Sequence, residues 1–499
     1  GFMNGGKTFP IGISQLVDAM ELPGVLSATD VYPLVLHEGN FHQMLLVNEM
    51  TKALHNPEQA LFSIEFQAGG QHDFGSGASS LSDLHTRLCV SSGMRAVNHY
   101  LFFSGENDPL LSPVRRHDWG HPVRMDGTLR SAYPRYAKLS SVLNAYGADL
   151  AAAQPQTVTT IGFQLDDFMT EVNTPATQAA SQVLVHQREE ILFDMLGRGL
   201  ALTHRPFDAL ELSRAELDPT RTPVLWVMME RACPAATQQK LIDYAQGGGR
   251  LVLAGRMCLE GAGHAPCTLL KEALGIHEIA ADAPFTRTQI NAFHYVGVPA
   301  SFVETYTGDF AEVFAARDGA TVGFAQRLGQ GQVLVFGAAV PANTLEDLDL
   351  VEQMARKVDC APLLRLSPWA DARLSRGERG SFLFLNNYQD DPIETTVEYA
   401  GSTLFGGQPV HLPARQGLIL PLDWQVEPGV TLHCATSEIL SVERPAGGLT
   451  LRTRLPEFYA ELSLDGYRCP DARRVSAAGA PQRMAVQGKA GVLALAKEG

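Results

Sequence analysis

Helical periodicity stops near residue 362, and this change constrains the fold of the 499-residue chain more than any other feature. Upstream, apolar residues recur at helical spacing between short strand-like runs. Downstream, GSFLFLNNYQDD (380–391), ETTVEYAG (394–401), GLILPLD (417–423), GVTLHCATSEIL (429–440), GLTLRTRL (448–455) and FYAELSLDG (458–466) read as strands. Gly, Pro and Asn-Asn turns separate them at roughly 8–12-residue spacing, the pattern of a β-sandwich. A chain this long allows roughly three domains of about 150 residues. The predicted fold class is α/β followed by all-β, with the β-sandwich over 363–499.

The N-terminal part alternates between strands and helices. PGVLSATDVYP (23–33), LFSIEFQAGG (61–70) and AVNHYLFFSGEND (96–108) read as strands with polar C-terminal ends. FHQMLLVNEMTKAL (41–54), SSLSDLHTRLCVSSG (79–93) and DGTLRSAYPRYAKLSSVLNAYG (126–147) read as helices, the last closing on Gly147. That makes three strands, or four if residues 1–10 hold the end of another. A closed (β/α) barrel has eight. Residues 1–152 are therefore either a small open sheet or the C-terminal half of a (β/α)8 barrel, and either fold places its site at the C-terminal strand ends.

Residues 153–362 form a second α/β block. TPVLWVMME (222–230) is a buried strand, TQQKLIDYAQGGGRLVLAG (237–255) a helix, a glycine stop and a strand, and VLVFGA (333–338) a further strand. This order predicts a parallel, flavodoxin-like or amidotransferase-like sheet. The GGG at 247–249 follows a helix and precedes a strand, the wrong order for a dinucleotide fingerprint. A tight helix C-cap accounts for it.

Composition narrows the function. With 45% hydrophobic and 19% charged residues, the chain can bury large cores. Its net charge of −15 and the lack of a Lys/Arg run leave no basic face for nucleic acid. Seven scattered cysteines without a CxxC pair indicate neither a zinc site nor a disulfide framework, and point to reduced thiols in a cytoplasmic protein. No apolar run reaches the roughly 18 residues of a membrane span. GFMNGGKTFPIG lacks the marks of a signal peptide, although Gly1 is no clear initiator. The histidines of HDFGSG (72–77) and RRHDWGHP (115–122), and His99, fit no helix-borne metal pair. FGSGAS (74–79) does not fit GxSxG. No metal or cofactor is expected.

LFSIEFQAGG holds an exception. Its composition suits a strand buried on both faces, yet Glu65 lies inside it. A carboxylate is costly to bury unless it is paired, hydrogen-bonded or protonated. At the C-terminal end of a barrel strand it is placed for chemistry, because side chains there converge on one mouth. Asp30, Tyr32, Asn98 and Tyr100 on flanking strands, with Glu106 and Asn107 at the next tip, supply polar neighbours. Carboxylates, amides and aromatics together suit a sugar, whose hydroxyls take paired hydrogen bonds and whose C–H faces stack on rings. The plainer alternative is a glutamate paired with an arginine for stability.

These motifs resemble the second half of the catalytic barrel of retaining β-galactosidases and exo-β-glucosaminidases of glycoside hydrolase family 35. Archaeal-type exo-β-D-glucosaminidases are the nearest in pattern, and family 42 β-galactosidases are relatives. The family's nucleophile strand, roughly ExQ-x-G, is matched by Glu65-Phe66-Gln67-Ala68-Gly69. Its Gly-rich tip is matched by Phe102-Phe103-Ser104-Gly105-Glu106-Asn107, and a loop of YDYGAP…DG type by HDWGHPVRMDG (117–127), which contains Trp119. Residues 155–360 resemble the amidotransferase-like middle domain of these enzymes, and the tail with LFLNNYQDD and ATSEIL resembles their C-terminal sandwich. The resemblance implies Glu65 as nucleophile and Tyr32, Gln67, Asn98, Tyr100, Glu106, Asn107 and Trp119 as residues binding a β-linked oligosaccharide. It also implies a homo-oligomer formed through the middle domain. Two details depart from the pattern: Gly70-Gln71-His72 replaces a frequent aromatic, and the tip reads GEN rather than GTN.

The largest departure is an absence. Retaining hydrolysis uses two carboxyls about 5–5.5 Å apart. In this family the acid/base follows an asparagine far upstream of the nucleophile, and only 64 residues precede Glu65. Asn48-Glu49 repeats the pair, but within a helix, where it reads as surface. The chain is thus expected to be the C-terminal portion of a longer enzyme, its N-terminal barrel half in the same or a separate chain. Glu65 would attack the anomeric carbon, and a glutamate of the other half would protonate the leaving oxygen and then activate water. Tyr32 or Tyr100 would keep Glu65 ionised. The competing reading is a non-catalytic carbohydrate-binding or assembly subunit built on a partial barrel.

Overall fold

The computed structural model describes residues 3–4, 7, 26–33, 35–55, 58–68, 78–118, 120–170, 173–475 and 483–498. Four strands, β1 (Met3–Asn4), β2 (Thr29–Val31), β3 (Leu61–Gln67) and β4 (Met94–Tyr100), form a parallel sheet in chain order. Parallel neighbours need crossovers, and helix α1 (Phe41–Leu54) supplies the one from β2 to β3 and α2 (Ala78–Ser91) the one from β3 to β4. Val31, Leu61, Phe66 and Met94 share a core with Leu45 and Met50 of α1 and Leu84 and Leu88 of α2. The other face is open: Ile64 is 44% exposed, Ala96 and Asn98 are exposed, and Phe62 is half-buried. LFSIEFQAGG is therefore buried on one face, not both. Among the described residues the sheet stops at four strands and has no opposing layer.

Three further expectations shift. The strand expected over 96–108 ends at Tyr100, and the chain passes through a cis Tyr100–Leu101 bond into a loop with a short hairpin, β5 (Gly105–Glu106) and β6 (Arg116–His117). The helix expected over 126–147 is α3 (Tyr133–Ala152). Pro134 fits its first turn, where no N–H is missed. Gly147, at φ 48 and ψ −125, kinks this helix instead of ending it. Asn48 and Glu49 are buried rather than on the surface. Buried on nearly every side, α1 is sandwiched between the sheet and the middle block, packing on strand Phe207–Glu211 and helical segment Arg188–Gly197. Lys52 Nζ lies 2.6 Å from the Glu49 carboxylate, and burial pushes that carboxyl above its usual range.

The middle block has five parallel strands in the order Phe207–Glu211, Thr159–Phe163, Val224–Met229, Arg250–Gly255 and Gly331–Phe336. Ala320–Leu328, Glu312–Arg317, Thr288–Ala292 and Tyr295–Ala300 extend it with antiparallel pairings. Trp226 is fully buried and donates to Thr159 Oγ1 at 2.9 Å. The glycine triplet serves the turn after helix Ala235–Gln246: Gly248 has φ 108, and a Cβ on Gly249 would meet the Tyr244 ring at 2.4 Å.

The C-terminal part is antiparallel. Its central sheet has eight strands, including Gly380–Asn386, Gly417–Glu427, Val430–Ala435 and Phe458–Leu464. Both faces are covered, which explains the nearly continuous apolar run SFLFL. Leu383 and Leu385 face one core with Val397 and Leu412, while Phe382 and Phe384 face another with Leu449 and Leu493. Val142, Tyr146 and Leu150 of α3 join the second core. Tyr146 Oη donates to Ile419 O at 2.8 Å and accepts from Ile439 N at 3.1 Å.

A buried ionic cluster fastens α2 to this sheet. Arg87, fully buried, donates from Nε and Nη2 to Asp83 Oδ1 at 3.2 and 3.1 Å and forms a two-pronged contact with Glu438. Arg454 Nη1 donates to Glu438 Oε2 at 2.8 Å, Ile419 N to Glu438 Oε1 at 2.7 Å, and Gly417 N to Asp83 Oδ2 at 2.7 Å. Burial would raise the Asp83 carboxyl, but Arg87, Arg454 and the Gly417 N–H outweigh it and hold it below 3.8. Removing one partner of a buried cluster costs about 3–5 kcal/mol, and Arg87→Met is expected to lose that much in denaturant unfolding. A carboxyl depressed in the folded state adds stability that disappears as pH falls through its folded value. Wild type should therefore lose stability more steeply below about pH 3.8 than Arg87→Met does.

Candidate active site

A bulge positions Glu65. Thr29 pairs with Ser63 and Asp30 with Glu65, so β3 carries one residue more than β2 over this step. Bulges re-aim side chains. Here Ile64 and Glu65 are left accessible while Phe66 is fully buried against the His85 ring at 4.3 Å. Ser63 Oγ, completely buried, donates to Thr29 O and lies equally close, 3.0 Å, to Glu65 O, which ties the bulge to β2.

Tyr32 Oη donates to Glu65 Oε2 at 2.9 Å. Burial, and then this hydrogen bond, raise the phenol well above its usual pKa, so it stays a donor. The Tyr32 and Tyr100 rings meet edge to face at 6.5 Å, and Tyr100 meets His117 at 6.4 Å. Asn98 Nδ2 donates to Ile64 O at 2.9 Å, and the buried Gln67 pairs in register with Tyr100. Asp30, in register with Glu65, has a buried Oδ1 with no hydrogen-bond partner. Burial first, and then the Glu65 charge, raise its pKa. Among the described residues no Lys or Arg pairs with either carboxylate.

The structure thus gathers Tyr32, Glu65, Gln67, Asn98 and Tyr100 at the C-terminal ends of β2–β4. It uses Glu106 and Asn107 differently. Asn107 Nδ2 donates to Val114 O at 2.8 Å and its N–H to Arg115 O at 2.8 Å, while Glu106 Oε1 lies 3.9 Å from Arg116 Nε. Both residues build the hairpin. Trp119 and HDFGSG lie outside the described residues. Sequence reasoning missed a second network: Ser104 Oγ and Arg130 Nη2 both donate to Asp118 Oδ1 at 2.6 Å, and Arg130 Nη1 donates to His121 O at 2.8 Å. Ser104 and Arg130 hold the Asp118 carboxyl below its usual range. The signal was present in HDWGHP, whose Asp and His fix the loop through these bonds. Among the described residues no group of three or more His, Cys, Asp or Glu could hold a metal ion, and no helix is long and apolar enough to cross a membrane.

This face offers an accessible carboxylate held by one phenol, beside a second carboxylate, under an aromatic wall. Such a set can accept hydroxyl or ammonium hydrogens and can attack an electrophilic carbon. In Glu65→Gln the Asp30 carboxyl is expected to titrate at lower pH, read by carboxyl-carbon NMR. An unchanged midpoint would separate the two carboxylates electrostatically.

Comparison with known proteins extends the geometry. A family model described as "GLMA-like, second domain" matches residues 175–309. The chain is 23% identical over 369 residues to a β-1,2-glucosyltransferase of Ignavibacterium album, covering 70% of this chain and 50% of that protein. It is 22% identical over 399 residues to an exo-β-D-glucosaminidase of Pyrococcus horikoshii, covering 77% and 48%. Its fold is similar to that of a family 42 β-galactosidase from G. stearothermophilus, with a TM-score of 0.62, 12% identity, and 82% of this chain and 60% of the other covered. A Bacillus circulans β-galactosidase gives a TM-score of 0.61 at 14% identity, covering 79% and 59%. The chain spans about half the length of the curated relatives it matches. Its architecture is mixed α/β with large β-sheets, similar to family 42 β-galactosidases, and its relatives include glycoside hydrolases.

Proposed function

We propose that this chain is the nucleophile-bearing C-terminal portion of a retaining exo-β-glycosidase of family 35 type, a β-galactosidase or exo-β-D-glucosaminidase. The observation that carries the reading is the Tyr32–Glu65 hydrogen bond at the open C-terminal end of the sheet. Glu65 attacks the anomeric carbon and forms a glycosyl-enzyme. A carboxylic acid on the completing barrel half protonates the leaving oxygen, then activates the water that releases the sugar. Tyr32 donates to Glu65 Oε2 and holds the attacking carboxylate in place. The adjacent Asp30 and Glu65 carboxyls favour a cationic 2-amino sugar over a neutral one. The same glycosyl-enzyme discharged on a sugar hydroxyl gives transfer instead of hydrolysis, and product analysis reads both outcomes.

In the protein assembled with its upstream barrel half, Glu65→Gly is expected to reduce turnover of a nitrophenyl β-glycoside by roughly 10^4-fold or more. Added azide should restore turnover as the glycosyl azide of inverted anomeric configuration. Unimpaired hydrolysis would remove Glu65 as nucleophile.

The open face bears on completeness. Leu26 is 70% exposed and Ile64 44% exposed, on or beside the strands that carry Glu65. The isolated chain is expected to enhance the fluorescence of a dye that binds exposed apolar surface, and the upstream half should suppress that signal. A dark isolated chain would count against a missing wall.

A further inference from the structure

A nucleophile, a base and an orienting acid meet far from the open sheet. Asp423, His433 and Ser463 lie on three adjacent strands of the eight-stranded sheet, Gly417–Glu427, Val430–Ala435 and Phe458–Leu464. His433 Nδ1 is 2.6 Å from Asp423 Oδ1, and His433 Nε2 is 2.8 Å from Ser463 Oγ. An ionised carboxylate only accepts, so it takes the Nδ1 hydrogen and leaves the Nε2 lone pair facing the serine hydroxyl. That hydrogen bond, outweighing burial, holds the Asp423 carboxyl below its usual range.

Two backbone irregularities coincide here. Between the pairs Leu432–Leu462 and Cys434–Glu461, His433 is the extra residue of a bulge. Asp423 has φ 48, a left-handed conformation that Asp tolerates better than most residues. A groove of about 360 Å³ opens beside them, its lining including Tyr399, Phe405, Asp423, His433, Glu461 and Arg483. Arg483 places a guanidinium 3.9 Å from Asp423 Oδ1 and 3.7 Å from Glu461 Oε2, so a cation edges the groove beside the base.

We propose that Ser463, His433 and Asp423 form a second reaction centre, a serine esterase site for small acyl esters that reach it from the groove lined by Asp423 and His433. Ser463 Oγ attacks the ester carbonyl carbon as its proton passes to His433 Nε2. The carbon–alkoxy bond breaks, and the alcohol leaves with that proton. Water then attacks the acyl-serine, gives one proton to His433, and releases the carboxylic acid as His433 returns the proton to Ser463 Oγ. Asp423 is a positioning residue that fixes the imidazole ring and its tautomer. Arg483 faces the carbonyl oxygen as it gains charge.

A polar ladder across a sheet face has the same hydrogen bonds without a reactive serine, and covalent labelling separates the two. The full chain is treated with a fluorophosphonate probe, digested and mapped by mass spectrometry. The expected adduct sits on Ser463, disappears in Ser463→Ala, and forms about 10^2-fold more slowly or worse in His433→Gln. Asp423→Asn slows labelling and moves its pH profile, which a merely structural aspartate would not do. Glu65→Gln leaves the rate unchanged, so this outcome is independent of the glycosidase reading. An unlabelled Ser463 in the folded wild-type chain, or labelling indifferent to His433→Gln, overturns the proposal.

Discussion

The fully buried Arg87 guanidinium holds the molecule together at the point where two folding units meet. It sits on α2, the helix whose His85 ring stacks on Phe66 of the Glu65 strand. Its contact with Glu438, shared with Arg454, joins that helix to the turn between two strands of the C-terminal part. Four charges in an apolar interface carry a large desolvation penalty, and they persist only because backbone N–H groups of Gly417 and Ile419 complete the set. The C-terminal sheet thereby fixes the height of α2, and α2 sets the back of β3. Glu65 is thus positioned from behind by strands of the C-terminal part.

The same logic applies to α1. Its burial on both sides means the four-stranded sheet cannot shift against the middle block without exposing Leu46, Val47 and Met50. Burying such a side chain is worth about 1.5–3 kcal/mol. The helix is therefore an internal spacer, which explains why an Asn-Glu pair that looks like surface is enclosed, and why Lys52 had to follow Glu49.

How much of this was legible depended on the kind of signal. Helix Phe41–Leu54 was readable at both ends because apolar spacing and the following Asn-Pro mark it. Three of the four parallel strands and the antiparallel tail were readable from turn chemistry and from the loss of helical period, while the first, Met3–Asn4, stood only as an alternative. Thr159–Phe163 and Phe207–Glu211 were not, since five residues of TTIGF or FDALE carry no period of their own and become strands only between buried neighbours. The bulge at Ile64 was invisible for a related reason: one extra residue changes no composition, yet it decides which side chains face outward. The pairing of Tyr32 with Glu65, 33 residues apart, followed from residue type at parallel strand ends. The structural use of Asn107 did not, because an asparagine that binds sugar and one that closes a hairpin look alike in a sequence.

Glu65 is tolerated in an apolar strand because it is not buried unpaired. The bulge keeps it half-exposed, and the Tyr32 hydroxyl supplies a hydrogen bond of the kind worth about 1.5–3 kcal/mol when one partner is charged. Neither feature neutralises it, and Asp30 beside it makes the local field more negative. A purely structural glutamate in this position would gain from an arginine, and the described part of the sheet provides none. The arrangement costs stability that a well-packed apolar residue would return. A carboxylate left without a cation in this way is a candidate for a ligand site, because a bound ligand can supply the missing charge or hydrogen-bond donor.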